Sequence, residues 1–467
     1  MSNLGFHSLF HRISLFHGLQ AHRFFIERGK EVHSPDVQSP FTGPPAQRVR
    51  RAQLREDEGN DLSRYDVILF SVSFELDYVN LLIMLMKADI PFNRDDRGEM
   101  HPIIVVGGVA VTANPRILGG VADIIYLGDM EVSIDAMTAA LMEHEFRHEI
   151  SLYHEIARLS GVYVPAVHGV GSVAKAHQER ILEPAHSVIL TKNTEFSERF
   201  LIEVGRGCRN LCRFCMTRCV NNPLRTVPVD RVMHTLQAAA GLTDRVGLIA
   251  PVLTDHTELG SIVKGINQAG MRVSFSSLRA DDFDEKIGEL LEINKQASVT
   301  FAPETGSERL RVQMGKGLTD EQLLRAVAVA LAHGVRRIRY YFIFGLPGER
   351  ESDVSAVQSL VRETVGLFGG NRAELHLSFN PFIPKMRTAL ASQRLYPLEY
   401  YECVKEKLKA DLLGIDRVRF RFETLKTFYL HYYLSIGDER IGSLLVRCIK
   451  SGSFRGFGEE ARTLIGH

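Results

Sequence analysis

The chain has 467 residues, 45% of them apolar and 24% charged, and its 56 lysines and arginines balance its 56 aspartates and glutamates. That length allows two or three domains with substantial buried cores, and the balance excludes an overall field drawing the chain to nucleic acid or an anionic membrane. Six cysteines, four of them between positions 208 and 219, are not the dispersed framework of a secreted disulfide scaffold, so a reducing, cytoplasmic setting is expected.

In chain order, the first 29 residues, MSNLGFHSLFHRISLFHGLQAHRFFIERG, have every apolar run broken by histidine or serine and so lack a signal-peptide core. No later stretch approaches the length of a membrane span. Residues 30 to 64 are rich in proline and charge, and 1–60 reads as an N-terminal arm. From Tyr65 the texture changes: YDVILFSVSF reads as a buried strand, ELDYVNLLIMLMKADI as a helix, HPIIVVGG and ADIIYLGDME as further strands, and SIDAMTAALMEHE as a helix. Continuous Val/Ile strands alternating with helices predict a small doubly wound parallel sheet over 61–150, with ligands expected beyond the strand ends near Ser73, Gly107, Gly108, Gly128 and Glu131.

After a less regular bridge, 151–196, six strands are predicted: RFLIEV, VGLIA, RVSFS, SVTFA, RIRYYFIF and ELHLSFN, the first five each followed by a helix-length segment. One of those helices is marked at both ends, by a possible capping box of Thr319 with Gln322 and by Gly334 as a stop. The fold class expected is therefore α/β: the doubly wound domain, a partial (β/α)6 barrel over 197–387, and a helical, charged C-terminal region, 388–467, packed on the barrel. The cysteine cluster falls on the loop after the first barrel strand, where such folds keep their chemistry.

That loop reads VGRGCRNLCRFCMTRC. A disulfide between near neighbours would close a very short ring and stabilise little in a reducing compartment. Structural zinc wants two separated ligand pairs, commonly with histidine. Three thiolates from one compact loop suit three corners of an iron-sulfur cubane with one iron open. The spacing CxxxCxxC, with Phe214 directly before the third cysteine, resembles the signature of the radical S-adenosylmethionine (SAM) superfamily. The resemblance implies that Cys208, Cys212 and Cys215 ligate a [4Fe-4S] cluster whose fourth iron chelates SAM, and that electron transfer releases a 5'-deoxyadenosyl radical. Cys219, Cys403 and Cys448 are expected to be small core side chains.

Further segments carry the same resemblance. FAPETGSERLRVQMGKGLT is similar to the segment after the fourth strand in related enzymes, which implies Glu304 at the SAM ribose and Ser307 and Arg309 facing the cofactor. YYFIFGLPGE is similar to the adenine-contacting turn, which implies main-chain contacts from Phe344, Gly345 and Leu346. SFSSLRADD places Ser277 and Arg279 at a loop mouth, and in SFNPFIPKMRTAL Lys385 would line the substrate opening. Where many relatives have Gly-Gly-Glu, this chain has IAPVLTDHTE, so Thr254 or Asp255 takes that task or main chain does.

The domain over 61–150 resembles the cobalamin-binding domain ahead of the radical SAM core in a class of methylases and cyclases. It lacks an Asp-x-His-x-x-Gly motif, which leaves open both cobalamin binding and a fold kept for docking. No cysteine precedes Cys208, against the methylthiotransferases with their second cluster. The expected activity is hydrogen abstraction from a C–H bond of an unknown substrate, with methyl transfer where cobalamin is bound, and with flavodoxin or ferredoxin as electron donor. Two alternatives are a macromolecule-modifying enzyme, its phosphate contacts from RVRRAQLR (48–55) and RVRFRFETLK (417–426), and a non-catalytic iron-sulfur regulator. A solvated charged face is the preferred reading of both basic segments, and nucleic acid is not favoured.

Overall fold

The structure, a computed structural model, describes residues 3–26, 32–33, 62–192 and 196–466. The basic segment 48–55 lies outside them. The chain forms two compact units, one of Met1–Glu179, Ala185–Ser197 and Tyr429–His467, the other of Arg180–Pro184 and Glu198–Phe428.

In the first unit, β1 (Val67–Ser71), β2 (Ile103–Gly107) and β3 (Ile124–Tyr126) run parallel, and β4 (Val162–Tyr163) pairs antiparallel with β3. The order follows the chain, β1-β2-β3-β4, with no reversal among the described strands. β2 and β3 are runs of Ile and Val because helices cover both faces of the sheet. Ile103, Val105 and Ile124 pack with Met137 and Leu141 of the helix Ile134–Glu143 and with Ile156 of the helix Ile150–Ile156, each such buried side chain contributing about 1.5–3 kcal/mol. Residues 151–196, read as a bridge, thus supply a helix and the fourth strand. The N-terminal helix Leu4–Ser14, not expected from the sequence, is capped by Asn3, whose side chain accepts from the Phe6 amide at 3.2 Å. Arg12 pins it to the helix Ile134–Glu143 through Asp135.

The ends of these strands are closed by backbone. Gly108, at φ +116°, lies so near Val72 that a Cβ would meet its carbonyl oxygen at 2.3 Å, and Gly128, at φ +94°, meets that of Ala176 at 2.2 Å. Glycine is required at both by close approach, which is the use the structure finds for two residues expected near a ligand.

The C-terminal region divides between the units, contrary to the expectation that it packs on the barrel as a whole. Residues 429–467 belong to the first unit, where the helix Glu439–Ser451 packs on the helix Asp77–Lys87 and on residues 115–118. The Asn114 amide donates to the Gly437 carbonyl at 2.9 Å, and Gly442 lets the helix touch the Ile117 carbonyl.

The second unit holds seven parallel strands in two sheets. The first contains β5 (Phe200–Glu203), β6 (Arg245–Ile249) and β7 (Arg272–Phe275), in the order β7-β6-β5. The second contains β8 (Ser298–Glu304), β9 (Arg337–Phe344), β10 (Glu374–Pro381) and β11 (Val418–Phe422), in chain order. β11 was not expected. It lies in RVRFRFETLK, where Arg419 pairs with Glu374 and Arg421 donates to Ser378 while Phe422 stacks on Phe379, so these arginines serve a strand edge.

No strand ladder joins β7 to β8. Side-chain amides cross that seam instead: the Val273 amide donates to Asn294 at 2.7 Å, the Phe275 amide donates to Gln296 at 2.8 Å, and the Gln296 amide donates to the Phe275 and Ser298 carbonyls. The helix Asp320–Ala332 starts at the expected capping box, Thr319 with Gln322, and Gly334 follows it at φ +80°.

Candidate active site

The cysteine loop leaves β5 and is pinched at its base, where Gly205–Arg206 pairs antiparallel with Arg225–Thr226. Asn222 staples the two arms: its carbonyl accepts from the Cys208 amide at 2.8 Å and its amide donates to the Cys208 carbonyl at 2.9 Å. Gly207, at φ +85°, passes so close to Pro223 that a Cβ would meet its carbonyl at 2.5 Å. The loop tip is held on the other side by the Arg213 amide, which donates to the Met314 carbonyl at 2.8 Å. Phe214 packs on the apolar cluster of Leu310, Met314, Leu346, Phe382 and Leu390. Its place in the site is thus as an anchor of the loop.

Cys212 is buried, and Cys208, Cys215 and Cys219 are half-buried. The Asn210 amide N–H and side-chain Nδ2 both donate to Cys208 Sγ at 3.4 Å, an arrangement that favours electron-rich sulfur. Burial pushes the Cys212 thiol up, while the charges of Lys316 and Arg279 pull it down. Among the described residues no three His, Cys, Asp or Glu converge as ligands of a single ion must. Ligands to separate corners of a cubane need no such convergence, and three thiols on one short loop are the donor chemistry such a cluster takes. Cys403 is exposed, a correction to the expectation of a core residue, and Cys448 is buried.

Around Cys212 stand Cys215, Arg279, Glu304 and Lys316, each close enough to act on its charge. Glu304 ends β8 in the left-handed region, φ +69°, just past a register shift in the β8–β9 ladder. A non-glycine residue held there is strained, and such strain clusters at functional sites. Its Oε1 lies 2.7 Å from Lys316 Nζ, with both side chains mostly buried. Sequence reasoning missed Lys316; its one signal is a lysine between two glycines in MGKG. Arg279 is held by Asp281 and, at 4.0 Å, by Asp282. Ser277 lies half-buried on the same loop, its carbonyl accepting from the Leu253 amide at 2.9 Å.

Other expected site residues are engaged elsewhere. The Asp255 carboxylate takes Arg209, Nε at 2.9 Å and main-chain N–H at 3.3 Å, and Arg209 also reaches Asp282. Asp255 therefore fixes the cysteine loop to the loops after β6 and β7, while the neighbouring Thr254 hydroxyl is buried without a hydrogen-bond partner. Ser307 caps the helix Glu308–Gln313, and Ser307 and Arg309 both bind Asp353 of the helix Glu351–Gly366. Their polar atoms tie β8 to that helix. In the turn after β9, the Gly345 amide donates to Glu349 at 2.8 Å and the Phe344 carbonyl accepts from the Phe382 amide at 2.8 Å. Leu346 is fully buried in the cluster that seats Phe214. These groups are used inside the protein, and Glu349, held also by Tyr400 at 2.8 Å, is the residue that shapes the turn. Burial pushes Glu349 up to about 7, against the pull of those hydrogen bonds.

Two families match this chain: radical SAM proteins, N-terminal, over residues 45–165, and the radical SAM superfamily over residues 202–361. The chain is a radical SAM protein. The family implies a [4Fe-4S] cluster and SAM as cofactors, and it makes the chain an enzyme. An uncharacterized protein of Methanocaldococcus jannaschii is 26% identical over 388 residues, 82% of this chain and 80% of that one. An uncharacterized methyltransferase of Pyrococcus horikoshii is 27% identical over 161 residues, 33% of this chain and 35% of that one. Among solved structures, the radical SAM methyltransferase TsrM of Kitasatospora setae, with cobalamin and a [4Fe-4S] cluster bound, shares the fold with a TM-score of 0.54 and 13% identity, covering 83% of this chain and 88% of that one. Among the described residues no helix is long and apolar enough to cross a membrane.

Proposed function

We propose that this radical SAM enzyme cleaves SAM reductively and directs the resulting radical, or a methyl group, to a carbon of its substrate. The observation that carries this reading is the gathering of Arg279, from the loop after β7, and of Glu304 and Lys316, from the end of β8 and the segment beyond it, around Cys212 and Cys215 of the loop after β5. Cys208, Cys212 and Cys215 would hold the cluster, and Asn210 would feed two N–H groups to the first of these sulfurs. When bound, the cluster supplies one electron to the sulfonium of SAM, which breaks a carbon–sulfur bond and yields a 5'-deoxyadenosyl radical.

The chain's own contribution is orientation. Glu304, aimed by Lys316, offers carboxylate oxygens to the ribose hydroxyls. Arg279, braced by Asp281, offers a guanidinium to the carboxylate of the methionine moiety. Asp255 and Arg209 lock the loop that presents the first cysteine. Fixing these groups before SAM arrives removes the ordering cost from the binding step.

Methylation with cobalamin is the finer form of the proposal, and the shared fold with TsrM supports it. A flavodoxin- or ferredoxin-type protein is the expected reductant. Anaerobic reconstitution with iron and sulfide tests the first step: the reading expects about four iron atoms per chain and release of 5'-deoxyadenosine from SAM under dithionite. A reconstituted cluster without SAM cleavage would overturn that reading. Retention of hydroxocobalamin through gel filtration tests the finer form.

A further inference from the structure

A groove of about 1030 Å³ lies wholly within the first unit, far along the chain from the cysteine loop. It follows β1 from Tyr65 to Val72 and is walled by apolar side chains from three helices, among them Phe6, Leu9, Leu81, Met84, Met137 and Leu141. β1 has one strand partner among the described residues, β2. The Ile103 amide donates to the Asp66 carbonyl and the Val72 amide to the Gly107 carbonyl. In a parallel ladder this phase turns the amides and carbonyls of residues 66, 68, 70 and 72 toward β2. Those of Val67, Leu69 and Ser71 therefore face the groove.

The edge strand VILFS is apolar and carries no proline, bulge or charge, three of the devices that natural sheets use to blunt an edge. The groove also holds a cation. Arg23 lies 4.9 Å over the Phe10 ring, and its buried Nη1 has no hydrogen-bond partner. Burial pushes its pKa down to about 10, which leaves it charged at neutral pH. A partly buried, unpartnered guanidinium is costly and is relieved by a carboxylate.

We propose that this groove binds an extended peptide segment of a partner protein, which adds as a strand to the edge of β1 and presents an acidic side chain to Arg23. The main-chain groups of Val67, Leu69 and Ser71 would give affinity, the apolar walls would take alternate side chains, and Arg23 would set the preference for charge. About five to seven residues match the length of β1. The proposal is independent of the chemistry at the cysteine loop.

The test uses the full chain and a fluorescein-labelled heptapeptide of alternating valine and threonine ending in an amidated glutamate, beside the same peptide ending in lysine. The expected result is saturable binding of the first at least about ten-fold tighter than the second, and loss of that preference in Arg23→Gln. Hydrogen exchange gives the second readout: the amides of Val67, Leu69 and Ser71 should exchange fast in the free protein and slow about ten-fold or more when the peptide binds. Slow exchange of these amides in the free chain at every concentration would mean that the chain covers its own edge and would overturn the proposal. Protection that grows with protein concentration would assign the edge to a second copy and overturn it equally. Absence of saturable binding, or binding indifferent to terminal charge and to Arg23→Gln, would do the same.

Discussion

The two units end their parallel strands in opposite ways. In the second, the loops after β5, β7 and β8 bring thiols, a guanidinium, a carboxylate and an ammonium together, and one residue, Glu304, is held in a strained backbone conformation to do so. In the first, Gly108 and Gly128 let the backbone of Val72 and Ala176 close over the ends of β2 and β3. Related layering of strands and helices therefore gathers charged and thiol side chains at the strand ends in one case and gives close backbone approach in the other. What decides is the residues placed on the loops and the room left above them.

Breaking the reactive side should produce the largest effect. Cys212→Ala should abolish SAM cleavage, at least about a thousand-fold, and lower the iron content after reconstitution, measured by colorimetric iron assay with 5'-deoxyadenosine quantified by chromatography. Next comes Arg311, a fully buried guanidinium that donates to the Leu318 carbonyl at 2.8 Å and the Thr305 carbonyl at 2.9 Å and pairs with Asp320. Arg311→Met strands those acceptors and should cost about 3–5 kcal/mol, read from urea denaturation of the apoprotein.

In the first unit, Gly128→Ala forces a Cβ against the Ala176 carbonyl at a positive φ and should cost about 2–4 kcal/mol in the same assay. A neutral result there would show that the backbone of Ala176 can give way, and the contrast between the units would fail. An effect of similar size, tied to pH, is expected at Glu349. Its pKa is raised on folding, so the stability tied to its protonated form is full below its unfolded value of 4.5 and is lost as pH rises to about 7. Glu349→Gln should remove about 3 kcal/mol of that pH dependence, seen as a flatter stability curve between those limits. The smallest change is Lys316→Met, which leaves Glu304 without its cation. It should raise the KM for SAM about ten-fold while iron content stays unchanged, which separates orientation of SAM from cluster assembly.

How much of this was legible follows the range of the interactions. The grouping of Cys208, Cys212 and Cys215 on one loop after β5 was readable because their spacing is local, and the capping box at Thr319 because Gln322 is three residues away. Six strands of the second unit were readable from apolar runs. β11 was not, because a strand that exposes one face to solvent alternates arginine with phenylalanine and looks like a basic patch. The pairing of Ser307 and Arg309 with Asp353 was not readable, because that carboxylate stands more than 40 residues on, where spacing carries no signal. The division of the C-terminal region failed for the same reason: Asn114 and Gly437 meet only once the chain has folded back.

The stitching between β7 and β8 has a mechanical meaning. A wall joined along one line by the tips of Asn294 and Gln296 has fewer bonds to break there than along any neighbouring pair of strands. That line is where the wall relies on two side chains rather than on a strand ladder, so the loop bearing Arg279 and the loop bearing Glu304 keep their spacing only while Asn294 and Gln296 hold their bonds.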